Sequence, residues 1–255
     1  VGLIIMIARF TDVFTDPLMG EISDRGRTRF GRRKPYIMLG APALMLSNSL
    51  GTNLHMWDAQ VPAFTKQFRV IRYDRRGHGQ SDVPAGPYSM ERFGRDVIAV
   101  LDALGIKKTN WCGLSMGGMV GQWLGANAPD RVEKLVLSNT HCHYADKTPW
   151  LDRIKFVEEK GLDALVDANM QRWFTEGFRK RSPETIAHMK KMFVATDPKG
   201  YISCCQAIAA MDMRASNPTI TAPTMVIVGA QDAATPPAAG EAIAQQIKGA
   251  KVVSL

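Results

Sequence analysis

Cysteine is scarce in this 255-residue sequence: Cys112, Cys142, Cys204 and Cys205 are the only four, and no two are spaced as C-x-x-C. Without that spacing or a secretory leader pattern, neither a disulfide framework nor a metal site is expected, and a reducing cytoplasm fits best. Long apolar runs are also lacking. The longest, Val1–Ala8 and Tyr36–Leu46, fall short of the ~20 residues a membrane-spanning helix needs, so no stable membrane insertion is expected. Thirty-two Lys and Arg against 24 Asp and Glu give a net charge of +8, yet after residue 40 there is no basic run and no aromatic platform. Residues 1–40 hold 7 of the basic and 4 of the acidic side chains, and the remaining surplus is scattered. No nucleic-acid partner is expected from such a pattern. What is present, 45% hydrophobic and 22% charged residues with 14 Pro and 22 Gly, describes a globular chain long enough for one sizeable domain or two small ones.

Two unlike pieces meet near residue 41. The first forty residues run from an apolar start through D-P-L-M-G-E-I-S-D-R-G-R-T-R-F-G-R-R-K-P-Y to a second apolar stretch. Asp12 and Asp16 stand four apart, so on a helix both carboxylates project from one face, as sharing one cation requires. The segment resembles the second helix and following loop of the glycoside-pentoside-hexuronide cation symporters, sugar transporters of the major facilitator type. That resemblance implies a cation-coordinating role for Arg9, Asp12 and Asp16, and it assigns Gly20, Asp24, Arg25, Gly31, Arg32 and Arg33 to the basic loop motif. A transporter needs a closed bundle around its substrate, which nothing else here could build, so the segment is expected to be an inert fragment that the rest of the chain folds without.

From Ala43 the pattern changes to short β-rich runs alternating with amphipathic helices, the signature of a largely parallel α/β sheet. Strands are expected at Leu44–Asn48, Phe68–Asp74, Thr109–Cys112, Val132–Ser138, Pro223–Val228 and Lys251–Leu255. Helices are expected at Met56–Lys66, from a Ser89 cap to about Leu104, at Gly117–Asn127 and at Pro237–Ile247. The stretch 148–214 is helical in pattern throughout and reads as an inserted cap between two parts of one core, 41–147 and 215–255.

Between a strand and a helix lies G-L-S-M-G, Gly113 to Gly117, where a sharp turn exposes Ser115 above the carboxyl edge of the sheet. In that context Ser115 is a candidate acyl-transfer nucleophile, and the Met116 N–H at the helix start a candidate oxyanion donor. A second donor is expected from the S-N-S-L-G-T loop, at Leu50. Asp232, in G-A-Q-D-A-A-T-P-P after a late strand, has the chain order of the acidic partner, although an Asp in a Gly/Pro loop also serves as a turn residue. The histidine should follow it, but His55, His78, His141, His143 and His188 all precede Asp232. His78 reads as structural, and His141 and His143 read as pocket lining rather than as a displaced base.

S-N-S-L-G-T-N-L-H-M-W-D, Y-D-R-R-G-H-G-Q-S-D, W-C-G-L-S-M-G-G-M-V-G-Q-W-L, A-P-D-R-V-E-K-L-V-L-S-N-T and G-A-Q-D-A-A-T-P-P together resemble 3-oxoadipate enol-lactonases of the α/β-hydrolase superfamily, from about Ala41 to Leu255. The resemblance implies an α/β-hydrolase fold with a helical cap, here lacking its first two strands and its final histidine loop and preceded by the transporter-like segment. It implies hydrolysis of 3-oxoadipate enol-lactone to 3-oxoadipate in bacterial aromatic catabolism, the β-ketoadipate pathway, with no cofactor. Ser115 would act with Asp232, Leu50 and Met116, and activity would be impaired without the histidine. Arg153 or Arg172 on the cap would meet the carboxylate of this small-molecule substrate, and Trp150 and His141 would line its pocket. Another hydrolase of the same fold, acting on a small ester or lactone or as a cofactor-free haloperoxidase, remains an alternative, with a sugar-cation symporter fragment a distant one.

Overall fold

The computed structural model describes residues 41–255. Asp12 and Asp16, with the rest of the expected cation site, lie outside the described residues. Six strands, β1 (Ala43–Ser47), β2 (Arg69–Arg72), β3 (Thr109–Leu114), β4 (Val132–Ser138), β5 (Thr224–Val228) and β6 (Lys251–Ser254), form one sheet in the order β2-β1-β3-β4-β5-β6. Every pairing is parallel, so each connection must cross over a face of the sheet. Between β1 and β2 lies a four-residue helix, α1 (Val61–Phe64), followed along the chain by α2 (Met90–Ala103) and α3 (Met116–Asn127). Five helices, α4 (Thr148–Lys160), α5 (Val166–Trp173), α6 (Glu176–Arg181), α7 (Pro183–Val194) and α8 (Pro198–Ala210), separate β4 from β5, and α9 (Pro237–Gln246) leads to β6. The ends of this helical insertion are pinned together by an antiparallel bridge between His143 and Asp212 and by the Met213 N–H donating to Cys142 O at 2.8 Å.

Alternation along the strands divides the interior into two. Met45, Trp111, Leu135, Leu137, Val226 and Val228 join the large core shared with α2, α3 and α9, while Leu44, Leu46, Cys112, Val136 and Ile227 face the other way into a smaller cluster. The strand and helix expectations hold to within three residues at each end, with one exception. In place of a single helix over Met56–Lys66 the chain makes a 3-10 turn, Leu54–Trp57, and then the short α1. The Asn53 side chain accepts from the His55 N–H and starts the turn early, and Pro62, which lacks an N–H, belongs to the first turn of a new helix rather than the interior of a long one.

Close approach of backbones gives the carboxyl edge its shape. A Cβ on Gly113 would lie 2.2 Å from Gly117 O, and one on Gly117 would lie 2.3 Å from Ser47 O, so the turn into α3 and the end of β1 touch only because both residues are glycine. The loop after β1 is then bolted to the chain after β2. Asn48 Nδ2 donates to Tyr73 O at 2.9 Å, Asn48 Oδ1 accepts from Trp57 Nε1 at 3.0 Å, and Arg75 donates to Asn48 O. The Gly51 N–H donates to His78 Nε2 at 2.9 Å, so that nitrogen carries no proton, and His78 has the structural place expected of it. Burial, assisted by the Arg75 charge, pushes the His78 pKa from 6.5 down to about 3.

Two outcomes follow from these contacts. Gly117→Ala must move β1 away from α3, and a loss of about 1–3 kcal/mol is expected in urea unfolding. Because His78 binds a proton less readily in the folded chain than in the unfolded one, the stability it gives is full above pH 6.5 and is lost as the pH falls toward 3. Its share of the slope reaches about 1.4 kcal/mol per pH unit. Unfolding curves between pH 7 and 4.5 should flatten by that share in His78→Asn, and parallel curves for the two proteins would show that the ring titrates normally.

Candidate active site

Ser115 joins β3 to α3 with φ 54° and ψ −115°, a left-handed conformation that a residue with a side chain adopts only when its surroundings enforce it. The enforcement comes from the end of β4 and the residues just after it. The Ser115 N–H donates to Ser138 O at 2.8 Å, and Thr140 Oγ1 donates to Ser115 O at 2.7 Å. Gly118 and Met119 N–H groups complete the grip on Ser115 O at 2.8 and 3.1 Å. The side chain itself is half-buried, and its hydroxyl forms no hydrogen bond with any described residue.

Met116, fully buried, is the first residue of α3, so its N–H has no acceptor within the helix. Leu50, also buried, sits in the loop after β1, and no described acceptor takes its N–H. The contact at Gly117 sets the loop carrying Leu50 against the helix start carrying Met116. Each of these two N–H groups thus has no acceptor among the described residues, as an oxyanion donor requires.

Asp232 lies in the loop after β5, two strands from Ser115. Its Oδ1 accepts from the Ala234 and Thr235 N–H groups at 2.7 and 3.0 Å, and its Oδ2 accepts from Thr235 Oγ1 at 2.8 Å and from Asn139 Nδ2. The four bonds fix the orientation of the carboxylate. Asp232 thus organises its own turn, and Asn139 links it to the segment that also holds Ser115. Asn139 has φ 42°, which a short amide side chain tolerates, and its N–H donates to Ile227 O at 2.8 Å. Sequence reasoning missed Asn139, although it lies in the quoted L-V-L-S-N-T; its position directly after a strand in the middle of the sheet was the available signal.

No described histidine hydrogen-bonds Ser115 or Asp232. His55 pairs with Asp58, His188 is exposed on α7, and His78 is engaged with Gly51. The His143 N–H donates to His141 Nδ1 at 3.3 Å, and His143 Nδ1 stands 3.7 Å from Asp212. Burial, then the neighbouring His143, lowers the His141 pKa.

The structure gathers the remaining candidates around a residue that sequence reasoning also missed, Tyr144. Its ring lies 4.5 Å from that of His141 and 5.4 Å edge-on to that of Trp150, and the Arg153 guanidinium lies 5.8 Å from the Trp150 ring. Burial raises the Tyr144 phenol to about 12, and Arg172, Asp232 and Arg153 all lie near enough to act on it. The two arginines differ in what they already hold. Arg153 Nη1 donates to Asn169 Oδ1 at 3.1 Å and to Tyr201 OH at 2.7 Å, whereas exposed Arg172 forms no hydrogen bond or ion pair with a described residue. Among the described residues no group of side chains could hold a metal ion, and no helix is long and apolar enough to cross a membrane.

Residues 1–51 match the MFS/sugar transport protein family. Residues 42–255 match the alpha/beta hydrolase fold family. The chain is 42% identical over 206 residues to 3-oxoadipate enol-lactonase 2 of Acinetobacter baylyi, covering 81% of this chain and 77% of that one. Among solved structures, the enol-lactonase of Burkholderia xenovorans LB400 superposes with a TM-score of 0.83 at 46% identity, covering 84% of this chain and 83% of that one. A thermophilic esterase of Thermogutta terrifontis superposes with a TM-score of 0.77 at 28% identity, over 84% and 81% of the two chains. The parallel sheet, the strained serine turn and these likenesses agree: over residues 42–255 the chain belongs to the α/β-hydrolase fold family and is a hydrolase.

Proposed function

We propose that this hydrolase opens 3-oxoadipate enol-lactone to 3-oxoadipate, within the breakdown of aromatic compounds, using Ser115 as nucleophile. The observation that carries the reading is the strained Ser115 turn at the start of α3, whose hydroxyl forms no hydrogen bond with a described residue. The substrate comes from the relatives at 42% and 46% identity.

Ser115 Oγ attacks the lactone carbonyl and gives up its proton to a base. The Leu50 and Met116 N–H groups hold the resulting oxyanion. Collapse of the tetrahedral centre expels the ring oxygen as an enolate, a better leaving group than an alkoxide, and the ring opens on the enzyme. Water then attacks the acyl ester, frees Ser115 and releases the enol, which tautomerises to the ketone. Asp232 is the group that would orient a histidine base. The substrate's free carboxylate pairs with Arg172, which forms no hydrogen bond or ion pair with a described residue, while Arg153 holds α4 to α5 and α8 through Asn169 and Tyr201. His141, Tyr144 and Trp150 form an aromatic wall for the ring. The four free, buried thiols suit a reducing compartment, which we take to be the cytoplasm.

Since no described histidine is bonded to Ser115, a polypeptide of these 255 residues should hydrolyse enol-lactone about 10⁴-fold more slowly than the same polypeptide extended beyond Leu255 by a lactonase strand and histidine loop. Ser115→Ala should abolish the activity of the extended form. An ordinary rate without the extension, lost on His141→Ala or His143→Ala, would place the base on that pair instead. In the extended form, Arg172→Gln should raise KM at least ~10-fold for the charged lactone with little change in kcat, and leave an uncharged lactone unaffected. Equal losses on both substrates would remove Arg172 from carboxylate recognition.

A further inference from the structure

A peptide unit carries its C=O and the next residue's N–H on one rigid plane, so whatever binds the oxygen also aims the hydrogen. The Leu50 N–H shares its plane with Ser49 O, and the Met116 N–H shares its plane with Ser115 O. Each of these oxygens accepts from a threonine hydroxyl: Thr52 Oγ1 donates to Ser49 O at 2.8 Å, and Thr140 Oγ1 donates to Ser115 O at 2.7 Å. Both threonines are buried, each 1% exposed.

The surroundings favour these two bonds. Thr52 Oγ1 also lies 3.0 Å from Met56 Sδ, but a hydroxyl has one proton and a thioether is a weak acceptor, so the carbonyl takes it. The peptide units on either side are held separately. Arg75 donates to Asn48 O and the Ser49 N–H meets Met56 Sδ at 3.3 Å, while the Gly51 N–H donates to His78 Nε2. Among the described residues Thr52 Oγ1 is the one donor to Ser49 O. Ser115 O is better supplied, since the Gly118 and Met119 N–H groups also donate to it. A Cβ on Gly118 would lie 2.7 Å from Thr140 Cβ and 2.8 Å from its Oγ1, so the absence of a side chain there is what admits the threonine.

We infer that Thr52 and Thr140 are positioning residues for acyl transfer, each holding the carbonyl end of a peptide unit whose N–H end receives the oxyanion. A hydrogen bond accepted at the oxygen draws electron density from the nitrogen and makes the N–H a stronger donor, and the gain is greatest when negative charge develops opposite it. Neither threonine needs to touch the substrate. The inference rests on Ser115 as nucleophile with Leu50 and Met116 as donors, and it is indifferent to which ester the cap admits. Thr52 matters more than Thr140, because without its hydroxyl Ser49 O loses its described donor while Ser115 O keeps two.

Valine keeps the shape of threonine and removes the hydroxyl, whereas serine keeps the hydroxyl. In the form extended by the histidine loop, with enol-lactone and with p-nitrophenyl acetate as substrates, Thr52→Val should lower kcat ~10-fold and Thr140→Val ~3-fold, with KM little changed. Thr52→Ser and Thr140→Ser should restore most of the rate. In the chain as it stands, the amide nitrogen resonance of Leu50 should move upfield in Thr52→Val and return in Thr52→Ser. An unchanged kcat, a loss that appears in KM instead, or a loss that serine does not reverse overturns the inference while leaving Ser115 in place. If the parent acts on p-nitrophenyl acetate alone, the substrate assignment falls and the same comparison on that ester decides for the threonines. A parent active on neither ester overturns the nucleophile and the inference together. Should Thr52→Val not fold, Thr140→Val, whose carbonyl keeps two donors, decides by the same kcat and serine criteria.

Discussion

The hydrogen bonds from the segment Ser138-Asn139-Thr140 hold together what the rest of the site depends on. Ser138 O and Thr140 Oγ1 fix the two peptide groups of Ser115, and Asn139 Nδ2 reaches the carboxylate of Asp232. A non-glycine residue in the left-handed region costs of order 1–3 kcal/mol. The bonds made by Ser115 N and O, at about 1 kcal/mol each, offset that cost while leaving the hydroxyl unbonded. Strain is tolerated at one residue because strand β4, a central member of the sheet, ends where it can clamp that residue.

The same economy governs the two proposed oxyanion donors. Helix starts leave N–H groups unpaired as a matter of geometry, which supplies Met116. No described acceptor takes the Leu50 N–H, for a different reason: its loop is held through its other groups, Asn48 by Tyr73, Trp57 and Arg75, and Gly51 by His78. A neutral imidazole suits this place, since a protonated one could not accept from Gly51. Rigid surroundings and one unspent donor are what transition-state stabilisation asks of a loop.

Much of this was legible in the sequence, and the failures have physical causes. The central parallel strands read clearly because they bury both faces and show short apolar runs, and Ser89 announced its helix by capping it through the Arg92 N–H. The G-x-S-x-G turn was legible because both glycines are demanded by contacts under 2.5 Å. Met56–Lys66 misled because apolar spacing there continues across a break that Asn53 and Pro62 impose. Asn139 and Tyr144 were invisible because their roles depend on chain segments far away in sequence, the Asp232 loop and α4–α5. Arg153 and Arg172 looked alike on paper and separate only once Asn169 and Tyr201 are seen to occupy the first.

The central claim is that the constrained turn presents Ser115 as the acyl acceptor. Rapid-quench mass spectrometry of the form extended by the histidine loop, mixed with enol-lactone, tests it most directly. The account predicts a ring-opened acyl adduct on the peptide containing Ser115, formed before free product appears and absent from Ser115→Ala. Lactone consumption without an adduct, or an adduct on a different residue, would contradict it.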